Sequence, residues 1–251
     1  MREEVFGDCR LILGDCREVL PSLDASLAVV SDPPYGIDFH RSGTAGYGFT
    51  GVSGAAARAR GCPPIAGDDL PFDPTQLLGF SEVLIWGADH YRARLPEGGR
   101  FLAWDKLAGR ASWDDFCDVE FAWHSEGGAS RVFSWLWKGM VCKKQGENNG
   151  LRDHPMQKPM ALMRWCLTQL KRASATVLDP YMGSGTTGVA CAEIGRELIG
   201  IEIEPRWFEI ACRRIEAASR QRSLPLAQRE PRTEVFWVKG ARQPMLFEEE
   251  G

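Results

Sequence analysis

The 251-residue chain contains no run of about 18 uninterrupted apolar residues, the length a helix needs to cross a bilayer, so no membrane span is expected. Behind Met1 there is no signal-like apolar segment, and the chain reads as cytoplasmic. Its eight cysteines (positions 9, 16, 62, 117, 142, 166, 191 and 212) never fall as Cys-x-x-Cys, which excludes a secreted disulfide framework and leaves reduced, packed thiols. The four histidines (40, 90, 124 and 154) never stand at zinc-ligand spacing with a cysteine or with one another, so no metal site is expected. An excess of one charge is also missing: 30 Lys+Arg face 34 Asp+Glu, a net charge of −4. That balance speaks against a uniformly basic nucleic-acid module, although a sum can hide a basic face. No internal repeat is visible. With hydrophobic residues at 44% and charged residues at 25%, the composition is that of an ordinary globular domain with a substantial core.

Residues 10–14 (Arg-Leu-Ile-Leu-Gly) and 27–31 (Leu-Ala-Val-Val-Ser) are short apolar runs, each followed at once by an aspartate, Asp15 and Asp32. Both predict buried strands that end at a polar loop. Between them, Glu18 to Leu23 predicts a short helix whose last turn Pro21 disturbs. Strands are also expected at 82–87 and 100–104, with extended, aromatic-rich segments at 117–123 and 132–137. From Met156 to Ala173 the residues Met160, Met163, Leu167 and Leu170 recur at helical spacing. A strand over 175–178 ending at Asp179, a glycine-rich turn, a helix over 186–195, a strand over 197–203 and a helix over 205–220 complete a β-α-β unit. The fold class is therefore α/β with a mostly parallel sheet. Residues 36–68 carry eight glycines and read as a long mobile loop of functional type; residues 221–251 read as a C-terminal tail behind a domain spanning 1–220.

Two constellations carry chemistry. The first, Asp179-Pro180-Tyr181-Met182-Gly183-Ser184-Gly185-Thr186-Thr187-Gly188, lies between a strand and a helix, where glycines admit a ligand to the backbone and the helix start offers unpaired N–H groups. Glu202 ends the next strand, 17 residues beyond Gly185, where a carboxylate can accept from both hydroxyls of a ribose. These features mark a nucleoside-bearing cofactor. Gly183, Gly185 and Gly188 also satisfy the dinucleotide fingerprint, so a nicotinamide enzyme has to be weighed; a turn needed only for tight strand-to-helix packing is the plainer alternative. The second constellation is Asp32-Pro33-Pro34-Tyr35. Two prolines fix the backbone and donate nothing, so the loop presents carbonyl acceptors beside the Asp32 carboxylate. An acceptor-only cluster suits an exocyclic amino group, and Tyr35 offers an aromatic face to the base that bears it. A nicotinamide enzyme has no use for that arrangement; an ordinary turn is the other reading.

With both constellations in view, the chain resembles the DNA amino-methyltransferases that form N6-methyladenine or N4-methylcytosine from S-adenosylmethionine. Asp32 to Tyr35 is similar to that family's catalytic motif and Asp179 to Thr187 to its methionine-binding motif. The order, catalytic motif first, is that of the circularly permuted β class. Gly14-Asp15-Cys16, Trp104-Asp105-Lys106, Trp137-Lys138-Gly139, His154-Pro155-Met156-Gln157-Lys158-Pro159 and Gly200-Ile201-Glu202 agree as well, so the resemblance runs from about residue 10 to 216. It implies a three-layer, Rossmann-like methyltransferase fold with a mostly parallel mixed sheet. It also implies a cofactor held by Asp179, Tyr181, Gly183, Gly185, Thr186 and Thr187 on the methionine side, with Asp32 adjoining. Glu202 would then hold the ribose, Asp15 and Cys16 would meet the adenine, and Lys158 would stand near the cofactor carboxylate. Tyr181 stands where phenylalanine is commoner, which preserves the packing.

The implied chemistry is direct attack by an amine whose hydrogens are held by Asp32 and the Pro33 carbonyl. Cytosine C5 methylation would need a cysteine nucleophile, usually in Pro-Cys, and the chain has no Pro-Cys. The target base has to leave the duplex stack, with Tyr35 the first choice to receive it; Trp104 and Trp137 are pocket walls or, more plainly, core. An aspartate opening the tetrapeptide favours adenine N6 over cytosine N4, and a cofactor-binding DNA module without activity is the class-level rival. Residues 131–172 hold nine Lys/Arg against two acids and residues 206–242 nine against four, so each segment can meet phosphates or form an ordinary solvated face. The candidate DNA contacts are Arg41, Arg58 and Arg60 in the glycine-rich loop and Lys138, Lys143, Lys144 and Arg152 in the region 138–154. No insertion has the size of a recognition domain, which implies a short recognition site or a second subunit, as in a homodimer. Near the C-terminus Gln243, Leu246 and Phe247 resemble the peptide by which bacterial DNA enzymes bind the replication sliding clamp; packing back onto the domain is the plainer reading.

Overall fold

The computed structural model describes residues 1–38, 64–112, 117–138, 141–142, 157–173, 175–224, 234–236 and 245–247. The chain begins with β1 (Arg2–Phe6), β2 (Cys9–Leu13), the short helix α1 (Cys16–Val19) and β3 (Ala28–Ser31). Then come β4 (Glu82–Trp86), α2 (Ala88–Tyr91), β5 (Arg100–Asp105), β6 (Val119–His124), β7 (Arg131–Ser134) and the paired two-residue strands β8 (Trp137–Lys138) and β9 (Val141–Cys142). Helix α3 (Met160–Gln169), β10 (Val177–Asp179), α4 (Thr186–Ile194), β11 (Leu198–Glu202) and α5 (Pro205–Ser223) follow, and β12 (Glu234–Phe236) pairs with β13 (Met245–Phe247).

Period-two alternation sets the layers. Ala28, Val30, Leu84 and Trp86 enter one apolar cluster while Val29, Val83 and Ile85 enter another, because successive strand side chains face opposite sides. The first cluster is closed by α3, α4 and α5 through Met160, Leu162, Ala190, Phe208 and Ile215; the second by α1, α2 and the loop bearing Phe72 and Leu77. The result is a three-layer α/β fold. In α5 the buried residues Trp207, Phe208, Ala211, Cys212, Ile215 and Ala218 form one helical stripe, with Pro205 at the start, where its missing N–H costs nothing.

The nine-stranded sheet has the order β1-β2-β11-β10-β3-β4-β6-β5-β7. Strands β2, β11, β10, β3 and β4 are mutually parallel; β6 runs against β4 and β5, β7 is parallel to β5, and β1 is antiparallel to β2. The sheet is thus mixed and mostly parallel, as expected. From β3 the chain builds outward through β4, whereas β10 and β11 build the other way. The crevice between the carboxyl ends of β3 and β10 is therefore a topological switch point, the usual place for a ligand in an open parallel sheet.

Several boundaries depart from the sequence expectation. The helix expected from Met156 begins only at Met160, because Pro159 is extended (ψ 142°) and serves as its N-cap. The helix expected over 18–23 is a single turn at Cys16–Val19 followed by a 3₁₀ turn at Leu20–Ser22, with Pro21 inside that turn. Helix α5 continues three residues beyond the expected domain limit of 220, and the segment taken as a tail contains the β12–β13 pair. Strand β1 was not anticipated: its sequence Arg-Glu-Glu-Val-Phe is charged because it is an edge strand with mostly exposed side chains. Among the described residues no helix is long and apolar enough to cross a membrane.

Candidate active site

The carboxyl ends of β3, β10 and β11 each deliver an acid. Ser31, the last residue of β3, donates its hydroxyl to Asp179 at the end of β10 (2.5 Å), so the two strands on either side of the switch point are tied together there. Asp179 also accepts the Tyr181 N–H at 3.3 Å. Glu202, ending β11, accepts the backbone N–H groups of Gly183 (2.7 Å) and Glu204 (2.8 Å). Burial pushes the Asp179 carboxyl up to about 6 and that of Glu202 up to about 7, against the hydrogen bonds that favour the charged forms.

These acids line a cavity of about 550 Å³, the size of a small-molecule site. Asp15, Cys16, Asp32 to Tyr35, Lys158, Asp179 to Ser184, Thr186, Thr187 and Glu202 all contribute to its wall. The structure therefore gathers around one cavity residues that lie up to 187 positions apart in sequence. Asp15 caps α1 by accepting the Arg17 N–H (2.9 Å), and the Arg17 guanidinium folds back onto the same carboxylate (2.5 Å), which holds it below the ordinary carboxylate range.

The glycines divide into two kinds. Gly183 has φ +54° and open space where a Cβ would stand, so its backbone faces the cavity. Gly185 does not line the cavity. A Cβ there would meet Ala211 at 2.9 Å, and one on Gly188 would meet Ile215 at 2.4 Å. At both positions α5 packs directly on α4 and leaves no room for a side chain, and at Gly185 the backbone is also left-handed (φ +81°). The close contacts at Gly185 and Gly188 are made mainly by a helix, Ala211 and Ile215 of α5, whereas Gly183 has none.

Asp32 ends a row of buried charge. The Lys158 ammonium lies 2.8 Å from Asp32 Oδ2 and 3.0 Å from Glu120 Oε2, and Lys106 lies 3.0 Å from Glu120 Oε1. Lys106 and Glu120 are at most 3% exposed. Burial raises the Asp32 carboxyl, with Glu120 adding to the rise and Lys158 opposing it. Burial pushes Glu120 up as well, but the two ammonium groups outweigh it and hold that carboxyl below its ordinary range. Lys158 is therefore engaged with Asp32, while the resemblance sets it near a cofactor carboxylate.

Tyr35 is 6% exposed. Its hydroxyl donates to Asp32 Oδ1 and accepts from Lys158 (3.0 Å), and its ring stacks on His90 (5.1 Å between centroids, 12° between planes) over Gly87, where a side chain would collide with it. The tyrosine is thus turned toward Asp32 here, rather than presenting an open face. Trp104 and Trp137 belong to the core and do not line the cavity.

Sequence reasoning missed Glu120, and it noted Lys106 only within Trp104-Asp105-Lys106 without a role. It placed residues 64–68 only within the long functional loop 36–68 and missed the rest of the rim to Asp73; there Asp68 accepts the N–H groups of Gly36 (3.1 Å) and Ile37 (3.2 Å), closing the base of the glycine-rich segment. Of the candidate DNA contacts, Arg41, Arg58, Arg60, Lys143, Lys144 and Arg152 lie outside the described residues, and Lys138 is in β8. Within the two basic segments, Arg164 pairs with Glu193, Lys171 with Glu126, Arg220 with Glu216 and Arg222 with Asp8, while Arg214 donates to the Ser184 carbonyl. Among the described residues of the two segments, these five cations are already engaged within the fold.

The architecture is that of the α/β methyltransferases. The structure of PvuII DNA methyltransferase, cytosine-N4-specific, superposes with a TM-score of 0.50 over 88% of this chain and 88% of its own, at 15% identity, a likeness of fold alone. Residues 105–213 match the N6/N4 methyltransferase family model described as DNA methylase. Type II methyltransferase M2.DpnII of Streptococcus pneumoniae is 39% identical over 82 residues, 33% of this chain and 30% of that protein. DNA adenine methyltransferase YhdJ of Escherichia coli K12 is 38% identical over 76 residues, 30% of this chain and 26% of that protein. The matched stretch thus spans under a third of these relatives.

Proposed function

We propose that this protein transfers the methyl group of S-adenosylmethionine to the exocyclic amine of a base in duplex DNA, adenine N6, as a DNA amino-methyltransferase of the permuted β class. The observation that carries the reading is the placement of the Asp32 carboxylate, an acceptor beside two prolines, at the switch point and on the wall of the same cavity as Asp179 and Glu202. The cavity's donor set fits the cofactor. Glu202 is 8% exposed and can accept from ribose hydroxyls, and Gly183 offers bare backbone. Of Asp15, Asp32, Asp179 and Glu202, the two not engaged by Arg17 or Lys158, Asp179 and Glu202, supply negative potential that suits a sulfonium cation when ionised. When bound, that cofactor supplies an electrophilic methyl group.

The chain's own residues do the rest. The amine of an aromatic base is a weak nucleophile because its lone pair is delocalised into the ring. Asp32 and the Pro33 carbonyl, by accepting the amine hydrogens, favour a tetrahedral nitrogen with its lone pair free, a matter of orientation and preorganised electrostatics. Tyr35, which stacks on His90 and donates to Asp32, is the aromatic side chain assigned to the flipped base in this reading. Asp32, rather than serine, at the head of the tetrapeptide and the adenine-named relative both favour N6 over N4. Recognition surface from a second subunit and attachment to a sliding clamp through Gln243, Leu246 and Phe247 complete the reading. A chain lacking residues 243–247 should still methylate short oligonucleotides but lose binding to the clamp.

The test is transfer of tritiated methyl from S-adenosylmethionine to unmodified DNA, followed by digestion to nucleosides. N6-methyl-2′-deoxyadenosine is expected. N4-methyl-2′-deoxycytidine would move the assignment to cytosine, and cofactor binding without transfer would leave only a binding module. Nicotinamide binding in place of the sulfonium would return the dehydrogenase reading.

A further inference from the structure

The row Asp32, Lys158, Glu120, Lys106 holds two anions and two cations in alternation, all at contact distance. Lys158 and Asp32 already neutralise one another. Lys106 and Glu120 form a second neutral pair that the charge balance does not require, and it is set in the interior at 0% and 3% exposure. Burying such a pair costs several kcal/mol per ion before attraction repays it, and apolar replacements are often as stable. Stability is therefore a poor reason for its presence.

Its geometry supplies another. The Lys158 ammonium stands between two carboxylates at nearly equal distance, 2.8 and 3.0 Å. The Lys158 ammonium thus bridges Asp32 Oδ2 and Glu120 Oε2. On the far side Lys106 donates a hydrogen bond to Glu120 Oε1 at 3.0 Å and fixes the carboxylate. If Glu120 were neutral, the whole ammonium charge would fall on Asp32, whose Oδ1 already receives the Tyr35 hydroxyl.

We propose that Glu120, fixed by Lys106, is a positioning residue that draws the Lys158 ammonium partly off Asp32, leaving the Asp32 carboxylate a competent acceptor for the amine of the target base. This inference rests on the functional reading above. Glu120 touches neither substrate nor cofactor; it acts through Lys158. The charged and titratable groups facing Asp32 are Lys158 from the segment before α3, Tyr35 from its own loop, Glu120 from β6, Asp179 from β10, Tyr91 from α2 and Cys166 from α3.

The test compares kcat against pH for the full chain and three variants: Glu120→Gln, Lys158→Met and Lys106→Met/Glu120→Gln. Glu120→Gln removes a repelling anion and gives Lys158 wholly to Asp32. Both changes favour the charged Asp32, so the acid limb of kcat moves to lower pH while kcat at its plateau falls about tenfold to a hundredfold, with the affinity for S-adenosylmethionine little changed. Lys158→Met leaves Asp32 beside Glu120 without a cation, and its acid limb moves to higher pH. The double variant removes the Lys106–Glu120 pair as a unit, leaves no unpaired ammonium, and should repeat the behaviour of Glu120→Gln even where the single variant folds poorly. Limbs that move in the same direction, or folded Glu120 variants with unaltered kcat and an unmoved limb, overturn the inference while the functional reading stands. A wild-type chain that binds the cofactor but methylates no exocyclic amine overturns both.

Discussion

The sheet carries buried charge at both ends, and the two clusters are built on different plans. At the end opposite the cavity, Glu82 and His124 are both fully buried. Glu82 is bonded to His124 Nε2 (2.8 Å) and accepts the backbone N–H groups of Lys171 (2.7 Å) and Arg172 (3.0 Å). Arg100 donates to His124 Nδ1 (3.1 Å) and to the carbonyls of Ala129 and Gln169. Since Nδ1 accepts from Arg100, Nε2 carries the imidazole proton and gives it to Glu82. This cluster closes on itself, tying β4, β5 and β6 to the chain that leaves α3. The row at the cavity end does not close: it stops at Asp32, on a cavity wall, with the Asp32 side chain 20% exposed. Buried charge that satisfies itself holds strands together, whereas buried charge that terminates at a cavity is available to a ligand.

That contrast can be broken most severely at the closed end. Glu82→Ala leaves His124 and two backbone N–H groups without their acceptor, and the cost should be about 3–5 kcal/mol, read as a lowered denaturation midpoint. Methyl transfer per folded molecule at low temperature should survive. A Glu82→Ala protein of normal stability would show that the cluster is not the clamp described.

A smaller effect is expected on the cavity wall. In the proposed reading Glu202 accepts from both ribose hydroxyls as the carboxylate, and burial raises its carboxyl to about 7. Affinity for S-adenosylmethionine should therefore fall roughly tenfold between pH 8 and pH 6, and Glu202→Gln should flatten that dependence; calorimetric titration across the range decides it. Protonation of Asp179, at about 6, adds to the loss below that pH.

The smallest effect concerns His124. Burial holds its imidazole below the ordinary value of 6.5 despite Glu82. A depressed histidine contributes stability that is present above the unfolded value and is lost as pH falls below it, because the unfolded chain binds the proton first. The wild type should therefore lose stability relative to His124→Gln as pH is lowered from 7 to 5, by on the order of 1 kcal/mol. Denaturation curves that keep a constant separation across this range would contradict the assignment of a neutral, buried imidazole.

The contrast also explains what could be read from sequence. Asp32-Pro33-Pro34-Tyr35 and the stretch from Asp179 to Glu202 were legible because each is continuous in sequence, a strand end with the loop behind it in one case and a loop, helix and strand in the other, where composition and spacing report directly on local geometry. The parallel core strands were legible from apolar runs ending in acids. Glu120 and Lys106 were not, since they reach Lys158 only through the antiparallel pairing of β5 with β6, in which Trp104 stands opposite Glu120. Nothing local in Val-Glu-Phe-Ala-Trp-His marks its glutamate as buried. Likewise Gly183 and Gly185 are equivalent in a sequence pattern, and only the position of α5 separates the one that faces the cavity from the one that faces Ala211. Strand β1 escaped notice because an edge strand owes its place to its neighbour and needs no apolar run.

The most direct measurement is tritiated methyl transfer per folded molecule by Asp32→Ala, with S-adenosylmethionine affinity determined on the same preparation. The account predicts a loss of at least about a hundredfold in transfer per folded molecule, larger than any accompanying loss of cofactor affinity. Transfer that persists at unchanged cofactor affinity would contradict it and remove Asp32 from the centre of the site.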